Sequence, residues 1–188
     1  MTEEQIDVLD ENEGFTGEII GRDEAHKTGA WHRAVALYIV NSKNQVLLQK
    51  RSKHKKTWAG CWDMTCGGHA EAGSFGLITV IREADEELGI TLCEKDICYM
   101  CGYRSNNKHG KIWDRHFNEY YIAFKDVDTK DLKIQEGEVD EVKWVSYKKF
   151  KKMVECEDKS LTSKWEAHKA FVRFFDNYSS LQISKNRL

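Results

Sequence analysis

Residues 67–90 read G-G-H-A-E-A-G-S-F-G-L-I-T-V-I-R-E-A-D-E-E-L-G-I. Within them Leu77, Ile81, Ala84 and Leu88 recur at the spacing of one helical face, and Gly89 follows as a C-terminal stop. Just upstream, residues 62–66 form a short β-prone run that leads into a turn at Gly67 and Gly68, with Ser74 placed to cap the helix. Strand, glycine loop and helix in this order bring exposed backbone N–H groups and a helix dipole to one point, which favours an anion.

The same helix carries Glu83, Glu86 and Glu87 at i, i+3 and i+4, three carboxylates on neighbouring positions of one surface. Like charges at this spacing cost an isolated helix about 0.2–0.5 kcal/mol per pair, and a bound cation removes that cost. Oxygen ligands of this kind suit Mg2+ or Mn2+. A solvated acidic face is the alternative, and the adjoining anion-friendly loop favours the cation.

Outward from this segment, residues 32–40 and 46–50 read as a hairpin about the turn 41–44. Residues 97–103, 117–124 and 139–145 add strands, and 146–154 and 161–175 read as helices. With an N-terminal strand region over residues 1–30, the expectation is one domain over 1–188, an α/β fold with a mixed β-sheet and C-terminal helices at about 146–176.

The composition narrows the partners. Twenty-nine basic and thirty-one acidic residues give a net charge of -2, which points away from a nucleic-acid polymer and toward a small molecule. The opening Met1, Thr2, Glu3 and Glu4 is unlike a secretory leader, and no run approaches the ~20 apolar residues of a membrane span. A cytoplasmic protein with six reduced cysteines is therefore expected, with oligomeric state left open.

Residues 68–90 resemble the Nudix box, G-x5-E-x7-R-E-U-x-E-E-x-G-U, where U is a bulky aliphatic residue. The half from Arg82 to Ile90 fits, with Ala84 at the first U, whereas Ser74 replaces the first glutamate. The resemblance implies an α/β/α sandwich and hydrolysis of a diphosphate linkage in a nucleoside diphosphate derivative. Glu83, Glu86 and Glu87 would hold the metal with the Gly68 region, Arg82 would orient them, and Glu119 would complete the set. A non-catalytic diphosphate-binding member is the reading that Ser74 motivates.

The chain further resembles the subgroup related to isopentenyl-diphosphate isomerase, through Gln49-Lys50-Arg51-Ser52, the run 55–62, Gly67-Gly68-His69 and the run 141–145. That likeness implies substrate-binding roles for Arg51, Lys55, His69 and Trp62, and a histidine metal site matched by His26, His32 and His69. The subgroup's catalytic cysteine falls on Gly67. Cys66 lies one place earlier, where strand alternation turns it to the opposite face, so a core thiol is the favoured reading over a displaced nucleophile.

Overall fold

The structure, a computed structural model, describes residues 3–185; Met1, Thr2 and residues 186–188 lie outside it. Its centre is β3 (His32–Val40), whose nearly continuous apolar run suits a strand covered on both faces. Parity divides the run. Val35, Leu37 and Ile39 face α2 (Gly76–Leu88) through Val80, Ala84 and Leu88. Ala36, Tyr38 and Val40 face α3 (Tyr147–Glu155) and α4 (Trp165–Lys185) through Phe150, Phe171 and Phe175. Burying both faces of one strand between helices produces the expected three-layer α/β/α sandwich.

The sheet is mixed. β3 runs parallel to β8 (Ile112–Phe124) in register from His32↔His116 to Val40↔Phe124, and β8 pairs antiparallel with β7 (Ile97–His109). β4 (Gln45–Arg51) leaves β3 after only two residue pairs, to lie between β5 (Trp62–Asp63) and β9 (Val139–Ser146). β6 (Cys66–His69) takes its place along β3. Thr65 fills the split: its hydroxyl accepts from the Ile39 N–H at 2.8 Å and donates to the Leu47 carbonyl at 2.6 Å. A single side chain thus satisfies backbone groups that the diverging strands leave open.

Several sequence expectations change here. Residues 62–66 are not one strand but two, broken at Met64 and Thr65. Gly67 and Gly68 form strand rather than turn, and they are glycine for closeness: a Cβ at Gly67 would meet the Val35 carbonyl at 2.6 Å, and one at Gly68 would overlap the Glu83 carboxylate. Ser74 does not cap α2, because Phe75 holds the N-cap position and the Ser74 hydroxyl faces Thr79 Oγ1 at 3.2 Å. The strands expected over 97–103 and 117–124 extend toward each other as a paired ribbon out to His109↔Ile112, stabilised by Trp113 Nε1 donating to Asn106 at 2.7 Å. The N-terminal region holds a separate hairpin, β1 (Gln5–Leu9) with β2 (Phe15–Gly21), followed by a helix, α1 (Arg22–Thr28), that ends at Gly29 with φ 72°. Ser146 is the N-cap of α3, one residue before the helix begins, and Gly89 ends α2 with φ 68° as expected. Among the described residues no helix is long and apolar enough to cross a membrane.

Candidate active site

A cleft of about 1430 Å³ opens where β4 and β6 part, lined by Gln49 and Arg51 on one side and Gly67 and Gly68 on the other. α2 contributes Arg82, Glu83, Glu86 and Glu87 along the same wall. Glu83 and Glu87 are 8% and 7% exposed, unusual for ionisable groups without a full complement of cations. Burial raises the Glu83 carboxyl to about 7, against the pull of Arg82. Burial, with Glu83 and Glu138 nearby, raises Glu87 to about 8. The Gln49 amide donates to Glu87 at 3.1 Å.

Arg82 organises the other two carboxylates. Its Nη2 donates to Glu83 at 2.8 Å and its Nη1 to Glu86 at 2.6 Å, while Glu71 and Glu4 stand at 3.9 and 4.0 Å. Glu4 was not foreseen, since nothing local in the sequence marks a carboxylate that enters from the N-terminal hairpin. Burial raises its pKa too. Glu83 and Glu87, crowded at a buried wall and held partly protonated near neutral pH by burial, suit a hard divalent cation.

A second group sits beside the first. The ring nitrogens of His26, His32, His69 and His116 lie within 4.8 Å of one another, the one convergent set of three or more histidine, cysteine or acidic ligands among the described residues. Glu86, by contrast, is turned out on Arg82 with its side chain half exposed. The Nε2 atoms of His26, His32 and His116 are buried without a hydrogen-bond partner, and His32 Nδ1 donates to the Ala30 carbonyl at 2.9 Å, which leaves its Nε2 a free lone pair. Burial lowers all four imidazoles, His32 to about 4 and His69 and His116 well below their ordinary value. Neutral rings with unused lone pairs aimed at one another fit a nitrogen-ligated metal. Asp114 lies 3.8 Å from His26 Nε2.

The sequence named three of these histidines and missed His116. On the same strand it named Glu119, three residues on and of opposite parity. In β8 the side chains of His116, Asn118 and Tyr120 face the cleft. Glu119 points to the opposite face, where Arg33 Nε meets it at 2.8 Å and the Tyr121 hydroxyl donates to it. Trp62 is also corrected: it is 8% exposed, packed into the core with Lys143 over its ring, and does not line the cleft. Cys66 is fully buried against α2, and burial pushes its thiol well up. Arg51 and Lys55 do line the cleft, Arg51 near Asp63 at 3.7 Å and Lys55 paired with Glu138.

The NUDIX domain family matches residues 30–165. The chain is 33% identical over 183 residues to Nudix hydrolase 3 of Arabidopsis thaliana, covering 94% of this chain but only 23% of that protein, so it spans about a quarter of that relative's length. It is 34% identical over 143 residues to an uncharacterized Nudix hydrolase of Listeria monocytogenes, covering 76% of this chain and 80% of the other. An isopentenyl-diphosphate Delta-isomerase of Pectobacterium atrosepticum is 33% identical over 123 residues, with 65% and 68% covered. In fold, a crystal structure from Deinococcus radiodurans superposes with a TM-score of 0.70 at 18% identity, over 92% of this chain and 99% of that one. The match of the domain family over residues 30–165, most of the chain and including the helix that carries the carboxylates, shows that this chain belongs to the Nudix family.

Proposed function

We propose that this chain is a metal-dependent hydrolase that cleaves a diphosphate linkage in a nucleoside diphosphate derivative or a similar small molecule, working as one domain in the cytoplasm. The observation that carries the reading is the pair Glu83 and Glu87, buried at the cleft wall and lifted to about 7 and 8. Glu87, Glu83 and Glu86 would hold Mg2+ or Mn2+, which would supply charge neutralisation at the diphosphate and a lowered pKa for bound water. The chain's own contribution is position. Arg82 fixes the spacing of Glu83 and Glu86, Gln49 orients Glu87, and Glu83 would hold or polarise an attacking water. Arg51 and Lys55 offer positive charge to the phosphoryl oxygens.

The histidine group favours a second reading, an isomerase of a prenyl diphosphate, since that activity belongs to a relative and the resemblance implies a histidine metal site. Against it stand two substitutions of chemistry. Gly67 offers no thiol at the cleft, and Cys66 faces the core, so neither provides the proton-transferring group.

Phosphate and diphosphate release from nucleoside diphosphates, dinucleotides, nucleotide sugars and isopentenyl diphosphate, with and without Mg2+ or Mn2+, tests the proposal. Metal-dependent release that Glu87→Gln reduces by orders of magnitude is expected. Silence across the panel overturns it, and a double-bond shift in isopentenyl diphosphate would install the second reading.

A further inference from the structure

Asp63 carries a charge where packing alone needs none. It is 1% exposed at the end of β5, and burial pushes its carboxyl up, yet the cations Lys164 and Arg51 help to outweigh burial and hold it below the usual carboxylate range. Its Oδ1 accepts from Thr162 Oγ1 and from the Met64 N–H, both at 2.9 Å, and its Oδ2 accepts from Lys164 Nζ at 2.8 Å. Behind Thr162 runs a one-way chain. An ionised carboxylate can only accept, so Thr162 donates to it, the Nε2–H of His168 donates to Thr162 at 3.1 Å, and the Tyr38 hydroxyl donates to His168 Nδ1 at 2.8 Å. His168 is neutral, lowered to about 4 by burial, and so has one donating and one accepting nitrogen, as the chain requires.

A buried ion pair seldom adds net stability over apolar residues of the same volume, so the consequence of this network lies in what it holds. It holds two cations, Arg51 and Lys164, at the cleft wall, against one carboxylate. The Lys164 side chain is 33% exposed, with its ammonium 5.6 Å from the Trp58 ring. Trp58 in turn is set at φ 49° and braced edge-on by His109 at 5.3 Å. In the β4–β5 register Asp63 lies directly across from Gln49, the residue that orients Glu87. The cationic wall therefore adjoins the carboxylate centre.

We propose that Lys164 is a substrate-binding residue, taking an anionic phosphoryl group of the substrate next to the one handled at Glu83 and Glu87, and that Asp63 is the positioning residue that fixes its ammonium. The substrate class, a phosphate-rich nucleotide-like molecule, rests on the hydrolase reading; the anion site itself does not.

Calorimetric titration of the whole chain with inorganic pyrophosphate in metal-free buffer reads the site without turnover. Lys164→Gln weakens binding about tenfold, the loss of one charge-assisted hydrogen bond, and Lys164→Arg recovers most of it. Asp63→Asn weakens binding less than Lys164→Gln, and adding it to Lys164→Gln produces little further loss, because the two act as a unit. With a hydrolysed substrate, Lys164→Gln raises KM and leaves kcat nearly unchanged, a split that a merely structural role in docking α4 would not produce. Wild-type protein that fails to bind pyrophosphate, or Lys164→Gln protein that binds it equally well, overturns the proposal. Binding that depends on Lys164 in a protein that hydrolyses nothing keeps this inference and removes the hydrolase reading; hydrolysis indifferent to Lys164 does the reverse.

Discussion

The Arg82 guanidinium donates to the backbone carbonyl of His69 at 3.1 Å. Through the same planar group it holds Glu83 and Glu86, so one side chain ties the carboxylate helix to the strand that delivers a member of the histidine group. Lysine keeps the charge but cannot serve three acceptors in a plane. Arg82→Lys is expected to lower diphosphate hydrolysis about 10–100-fold, the usual effect of loosening groups that orient metal ligands. Steady-state kinetics beside an unchanged far-ultraviolet circular dichroism spectrum checks this; full activity would show that Arg82 only balances charge.

The stability of the metal-free protein should peak near pH 6.5. His26, His32, His69, His116 and His168 all titrate below the ordinary 6.5 in the folded state, so the unfolded chain binds more protons and stability rises with pH up to that value. Glu83 and Glu87 are raised from 4.5 to about 7 and 8, so the folded state binds more protons and these two groups lose stability as pH rises toward 8. Below pH 6.5 the histidines outnumber the raised carboxyls; above it only the carboxyls act. Mg2+ replaces those protons, so its stabilisation should grow from pH 6.5 to 8. Melting temperatures across pH 4–8 with and without Mg2+ test both limbs, and a curve that keeps rising to pH 8 without metal would contradict them.

Cobalt(II) added to the metal-free protein should give the visible absorption band of a nitrogen-ligated site. His116→Ala should abolish the band and Glu87→Gln should leave it, because the two groups use different donors. A band that follows Glu87 instead would place the ion at the carboxylates alone.

Cys66 should behave as a core residue. Fully buried and held protonated, its thiol is expected to resist alkylation until the chain unfolds, unlike exposed Cys93, Cys98 and Cys156. Cys66→Val should retain hydrolysis within about twofold, since the swap removes no polar contact. Loss of activity in a folded variant would return the thiol to the mechanism.

The local pattern of the chain determined a good deal by itself. The 3.6-residue period of Leu77, Ile81, Ala84 and Leu88 set the helix, its spacing put Glu83, Glu86 and Glu87 on neighbouring positions, and Gly89 ended it, because helix geometry depends on residues within one or two turns. The β-prone run 32–40 announced the strand β3, though not that helices cover both of its faces. What sequence could not settle was every choice made between elements. Strand alternation says that His116 and Glu119 point opposite ways but not which way is the cleft; the parallel register with β3, which places His116 beside His32, decides it. Lys164 and Asp63 are 101 residues apart, and Glu4 reaches Arg82 on the central helix from the N-terminal segment. Such pairings arise where the β3–β4 hairpin splits and β6 enters, a packing event stitched by Thr65 that has no local signature in the chain.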